Sequence, residues 1–269
     1  METIRIDGVG LEVQRLETPP GLPPLPPLVF LHEGLGSVSM WRDWPTRLCQ
    51  ATGRAGIVYS RQGYGQSETR PDVRGPTREY DGRRTGRLPP DYMHHEAWHV
   101  LPALLQALDV QRPVLIGHSD GGTIALLHAA RHSVEACVVM APHVIVEQVS
   151  IDSIAAARDA YGTGLRERLA RYHADVDTAF WQWNDVWLSD AFRSFDIRAH
   201  CRDIEAPVLA IQGEGDPYGT LAQIEEIHTA GMIERCVLTR CGHSPHRDQT
   251  EATTTAIRDF LARQASPGG

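Results

Sequence analysis

Six short apolar runs recur along the 269 residues: "LVFLHE" from Leu28, "GIVYS" from Gly56, "PVLIGHS" from Pro113, "EACVVMAPH" from Glu135, "APVLAIQGEGD" from Ala206 and "RCVLTRCGH" from Arg235. Each is rich in Val, Ile or Leu without polar alternation, as in a strand buried on both faces. Helical stretches separate most of them, including "WRDWPTRLCQATG", "HHEAWHVLPALLQALDV", "GGTIALLHAARH", "GTLAQIEEIHTAG" and "QTEATTTAIRDFLARQ". This alternation predicts an α/β fold with a mostly parallel central sheet covered by helices on both sides. Ahead of it, "IRIDGVGLEVQRL" reads as two strands about a glycine turn, and "TPPGLPPLPP" as a stiff connector. Between the fourth and fifth runs, residues 144–205 carry helical pattern and no strand. The expected organisation is a core of residues 1–143 and 206–269 with a helical cap, 144–205, over the carboxyl edge of the sheet.

The third run ends in Gly117-His118-Ser119-Asp120-Gly121. A serine in G-x-S-x-G between a strand and a helix fits a nucleophile elbow, a strained turn that lifts the hydroxyl clear of the sheet. The backbone there nearly touches its neighbours, so flanking side chains would clash. The N–H of Asp120 falls at a helix start, where it can donate to an oxyanion.

A serine hydroxyl needs a general base and an orienting acid. Candidates follow at later strand ends: Asp216 in "LAIQGEGDPYG" and His243 in "LTRCGHSPHRD". Glu214 and His246 are the alternatives, the first too close to its strand end and the second late in its loop. After the first run, "FLHEGLGS" turns sharply and can aim a second donor, the Gly34 N–H, at the same carbonyl. Ser119, Asp216 and His243 are thus the expected catalytic residues, with Gly34 and Asp120 forming the oxyanion hole.

Composition narrows the chemistry. All 26 basic residues are arginine, which removes lysine-based phosphate loops and Schiff-base nucleophiles. The net charge of −8 argues against nucleic acid or an anionic membrane as partner. Five cysteines at irregular spacing form no disulfide framework and no zinc ribbon. The start lacks the apolar core of a signal peptide, so a cytoplasmic location is expected. "HEAWH", His95 to His99, matches a zinc-protease motif, but its helix precedes the nucleophile strand and should cover the outside of the sheet, with Trp98, Val100 and Leu101 as packing residues; no metal is expected. Residues 70–92 carry six arginines among four acids and read as a solvated loop near the site entrance.

These motifs together resemble the α/β-hydrolase family from Leu28 onward. "LHEGLGS" is similar to its oxyanion loop, "YSRQGYGQS" to the turn after its next strand, "GHSDGG" to its elbow, and "GEGD" and "CGHSP" to its acid and histidine loops. Two departures stand out. Glu33 holds a position usually glycine, and Ser60-Arg61-Gln62-Gly63 replaces the usual Asp-x-Arg-Gly. Ser-Asp-Gly-Gly resembles biphenyl-hydrolase-like and valacyclovirase-like members, where the resemblance implies that the aspartate binds a substrate amino group; stiffening of the elbow is the competing role for Asp120. The reading is a serine hydrolase that cleaves a small carboxylic ester through an acyl-enzyme on Ser119, without a cofactor. Glu33, Asp120, His143, Trp181 and Trp187 are the expected substrate-binding residues. Two carboxylates near the pocket favour neutral or amino-bearing esters. Lactone, amide, thioester and C–C hydrolysis, a non-catalytic small-ligand receptor, and a homo-oligomer are the alternatives left standing.

Overall fold

A computed structural model of the chain describes residues 1–18, 21, 25–80 and 83–265; half of the proline-rich connector and Asp81 lie outside them. The elements are, in chain order, β1 (Glu2–Ile6), β2 (Val9–Leu16), β3 (Leu28–Leu31), β4 (Gly56–Tyr59), β5 (Arg78–Tyr80), β6 (Arg83–Thr85), β7 (Val114–His118), β8 (Ala136–Met140), β9 (Val208–Gly213) and β10 (Ile233–Leu238). Eight strands form one sheet in the order β1-β2-β4-β3-β7-β8-β9-β10, and β5 and β6 pair apart from it. Pairing is antiparallel from β1 to β2 and β2 to β4, and parallel from there on.

The strand residues explain the layers. Side chains alternate across a strand. Leu28 and Phe30 of β3, Val114 and Ile116 of β7, and Ala136, Val138 and Met140 of β8 enter one core, with Trp41, Trp44 and Phe260. Val29, Leu31, Leu115, Cys137 and Val139 enter the opposite core. Helices α1 (Trp44–Thr52) and, at the end of the chain, Thr250–Ala265 cover the first face, packing on each other. Helix α2 (residues 92–107) and α3 (Asp120–Ala129) cover the second. Every residue of α3 is buried, the polar Asp120, Thr123 and His128 included, as its central position between sheet and neighbouring helices requires. Helix α2 widens into a π-helical turn over Glu96–Val100, which inserts an extra residue into that register.

Between β8 and β9 lie α4 (Gln148–Ala160), α5 (Val176–Trp187) and shorter turns, with no strand of the main sheet. Asp175 caps α5, its carboxylate accepting from the Thr178 N–H at 2.9 Å. Tyr161 and Phe180 stack at 3.8 Å to hold the two helices together. Gln223 fastens the base of this segment, accepting from the Val144 N–H at 2.7 Å and donating to the Ile145 carbonyl at 3.0 Å. The chain leaves β3 for β4 on one side and returns to β7 on the other, so the crevice at the carboxyl ends of β3 and β7 is the topological switch point.

Candidate active site

Ser119 leaves β7 with φ +52° and ψ −120°, a conformation that L-residues rarely adopt. The surroundings enforce it. A Cβ on Gly121 would lie 2.0 Å from the Leu31 carbonyl oxygen, and one on Gly117 would lie 2.3 Å from the Gly121 carbonyl oxygen. The Ser119 N–H donates to the Met140 carbonyl at 2.9 Å, and its own carbonyl accepts from the Gly122 and Thr123 N–H groups. Thr123 also clamps the loop after β8: its hydroxyl donates to the His143 carbonyl at 2.8 Å and accepts from the His143 N–H at 2.9 Å.

The hydroxyl of Ser119 faces a cavity of about 210 Å³ whose lining includes Gly34, Asp120, His143, Trp187 and His243. Among the described residues Ser119 Oγ has no hydrogen-bond partner, and neither have the Gly34 and Asp120 N–H groups. Across the cavity, His243 Nδ1 lies 2.9 and 2.8 Å from the two Asp216 oxygens. Asp216 is itself held by Gln212 Nε2 at 2.7 Å and by the Tyr218 N–H at 2.8 Å. Burial would raise the Asp216 carboxyl, but the His243 hydrogen bond and charge outweigh it and keep the group below its ordinary range. A carboxylate that accepts the Nδ1 proton leaves His243 Nε2 with a free lone pair.

The two alternatives lie elsewhere. Glu214 is exposed. His246 is buried between Trp41, Trp44 and His118, with neither ring nitrogen partnered, and burial and His118 drive its pKa well down.

The flanking residues depart further from expectation. Asp120 lines the cavity but is almost fully buried: its Oδ2 accepts from Tyr92 Oη at 2.5 Å and lies 3.8 Å from Arg61 Nη2, while Oδ1 has no partner. Glu33 lies 3.5 Å from His118 Nδ1 and 3.8 Å from Arg247 Nη2. Burial pushes the Glu33 carboxyl up, but His118 and Arg247 hold it well below its ordinary range. Each carboxylate is thus matched by its own arginine. The expected negative field in the pocket is corrected accordingly: these charges are paired inside the protein. His118, in turn, donates from Nε2 to the His243 carbonyl at 2.6 Å and so fixes the histidine loop.

His143 and Trp187 line the cavity; Trp181 does not. Residues 183 and 187 share a helix face at 100° per residue, whereas 181 points away from 183 by about 200°. Trp183 takes the place expected of Trp181, packing so closely on Gly34 that a Cβ there would lie 2.1 Å from its indole nitrogen. Trp181 instead lies beneath the Arg74 guanidinium, 4.0 Å from the ring centroid. Burial, and next the charge of His243, lower His143 to about 3, so it is neutral at pH 7.

Arg61 is the residue that motif reading left without a role. It donates to the His32 carbonyl at 2.6 Å and the Glu33 carbonyl at 3.0 Å, tying down the loop that presents Gly34. Ser60, in the usual aspartate position, pairs with Glu12 of β2 at 2.7 Å and accepts from the Val38 N–H at 2.9 Å. The "HEAWH" glutamate is also turned inward: Tyr59 Oη donates to Glu96 Oε1 at 3.2 Å. Among the described residues no three His, Cys, Asp or Glu side chains are grouped to hold a metal, and no helix is long and apolar enough to cross a membrane.

A sheet with its switch point at β3 and β7, a strained serine between glycines, and an Asp–His pair on later strand ends describe an α/β-hydrolase scaffold. The chain belongs to the alpha/beta hydrolase family, whose family model matches residues 28–256. Solved structures agree on the fold. The enol-lactonase from Burkholderia xenovorans LB400 superposes with a TM-score of 0.70 at 19% identity, over 97% of this chain and 100% of that one. Proline iminopeptidase from Mycobacterium smegmatis gives 0.70 at 19% identity over 98% of each chain. An esterase from Exiguobacterium antarcticum gives 0.69 at 20%, over 96% of this chain and 97% of that one.

Proposed function

We propose that the protein is a serine hydrolase of small, neutral carboxylic esters. His243 Nε2 takes the Ser119 proton as Oγ attacks the ester carbonyl carbon. The Gly34 and Asp120 N–H groups receive the oxyanion, and Asp216 stabilises the imidazolium. The tetrahedral intermediate expels the alcohol, protonated by His243, and leaves an acyl group on Ser119. Water, deprotonated by His243, then attacks the acyl carbonyl and releases the acid. No step needs a cofactor.

The observation that carries this reading is the convergence on one cavity of a strained, unbonded serine, an oriented Asp–His pair and two unbonded N–H groups. Leu35, Ile154, Trp183 and Trp187 give the cavity apolar walls, which suit an acyl chain of a few carbons. The carboxylates of Asp120 and Glu33 face Arg61, His118 and Arg247, which supports a neutral rather than an ammonium-bearing substrate. The test is turnover of a panel of p-nitrophenyl esters of increasing acyl length by wild type and Ser119→Ala. Hydrolysis favouring short neutral acyl groups and abolished in Ser119→Ala is expected. Binding of the esters without turnover would make the chain a receptor and end the proposal.

A further inference from the structure

A second cavity, of about 100 Å³, lies behind the elbow, and its lining shares no residue with the catalytic one. It is enclosed by the β1–β2 hairpin, the turn after β4, the arginine-bearing loop and helix α2. Ile6, Val9, Leu11, Leu88 and Val100 make one side apolar. The other side presents donors that the protein does not satisfy. Arg70 is 7% exposed and donates from Nε to the Gly86 carbonyl at 2.9 Å, but its Nη2 is buried without a partner. Tyr64 Oη and His95 Nδ1, in the same lining, are buried without partners too. Two unsatisfied donors, Arg70 Nη2 and Tyr64 Oη, around one void are costly unless an acceptor enters it.

The neighbouring charges are already committed. Arg61 serves the oxyanion loop and Asp120, and Arg84 pairs with Asp91 at 3.3 Å. Of the carboxylates in the lining, Glu96 accepts from Tyr59, and its carboxyl is pushed up by burial; Asp7 stands at the β1–β2 turn. Burial, and next the charge of Arg84, draw Arg70 down to about 10, still charged at pH 7, so its guanidinium is a buried cation with an unpartnered edge.

We infer that this cavity is a binding site for a small aliphatic carboxylate, its oxygens on Arg70 Nη2 and Tyr64 Oη and its short chain against Val9, Leu11 and Val100. A planar carboxylate suits a guanidinium edge, and the void has room for roughly half a dozen non-hydrogen atoms. The site touches the catalytic centre through two side chains, Arg61, which lies 3.8 Å from Asp120, and Tyr92. Tyr92 lines this cavity and donates at 2.5 Å to Asp120, whose N–H is one of the two oxyanion donors.

The test uses the full-length Ser119→Ala protein, so that no outcome depends on turnover. Calorimetric titration with propionate, and with propionamide as its uncharged counterpart, reads binding; crystals soaked in propionate locate it. Propionate should bind and propionamide should not, with propionate density against Arg70 and Tyr64. Arg70→Gln should weaken propionate between about tenfold and a hundredfold, the worth of a charged hydrogen bond. Tyr64→Phe, which keeps the volume, should weaken it severalfold and serves as the readout if Arg70→Gln does not fold. Unchanged affinity in folded variants, propionate only beside His243, or nothing but water behind the elbow would each overturn the inference.

Discussion

Ser119 is held at φ +52° because two glycines let the backbone come within van der Waals contact of β3 and the start of α3. No rotamer change relieves a Cβ placed 2.0 Å from the Leu31 carbonyl oxygen, so Gly121→Ala should cost more than about 3 kcal/mol and yield insoluble protein or a lowered melting temperature. A melt like that of wild type would contradict the described elbow. Asp120 makes a different case. With Oδ2 on Tyr92 and beside Arg61, its side chain braces the turn. Asp120→Ala should therefore reduce kcat on a neutral ester and on a matched amino ester by the same factor. A selective loss on the amino ester would restore the reading of Asp120 as an ammonium anchor. Ser119, Asp216 and His243 were legible because each marks the end of an apolar run in the chain order that the fold uses. Tyr92 was not, because its partner lies 28 residues away and only tertiary packing joins them.

Among the elements, the loop that presents Gly34 depends on Arg61. Its guanidinium spans the His32 and Glu33 carbonyls as a rigid fork that lysine cannot copy. Arg61→Lys should lower kcat by about tenfold to a hundredfold with KM little changed, as steady-state kinetics on one short ester would show. An effect on KM alone would place Arg61 in ground-state binding instead. The strands and most helices could be read from apolar runs and their spacing, because burial on both faces leaves so plain a pattern. One element-level expectation departs from the structure for a physical reason. Composition carries no helical phase for the tryptophans of α5: two residues, about 200° of turn, separate Trp181 from the cavity and put Trp183 in it. The arginine loop is largely exposed, as its composition implies, with Arg70 buried at its start and Arg74 bonded to Asp185 of α5 at 3.0 Å. The π-helical turn in α2, which carries Glu96 at its start, has no signature in periodicity.

The whole molecule stores a pH dependence in its buried imidazoles. Burial lowers His128 to about 4 and His143 to about 3, well under the ordinary value near 6.5. Between those folded values and 6.5 the unfolded chain binds more protons than the native one. Stability is therefore full above about pH 6.5 and falls as the pH drops toward 4, by up to about 1.4 kcal/mol per pH unit for each such histidine. Thermal melts should show a steep loss of Tm from pH 7 to pH 5; a flat profile would contradict the neutral, buried assignment. Above this, the central claim is that Ser119 is the nucleophile of a hydrolase site built by β3, β7, β9 and β10. The most direct measurement is reaction of the purified protein with a fluorophosphonate probe, followed by intact mass and peptide mapping. The account predicts one adduct per chain, on Ser119, lost in Ser119→Ala and strongly slowed in His243→Ala. An adduct on another residue, or none in a preparation that turns over esters, would contradict it.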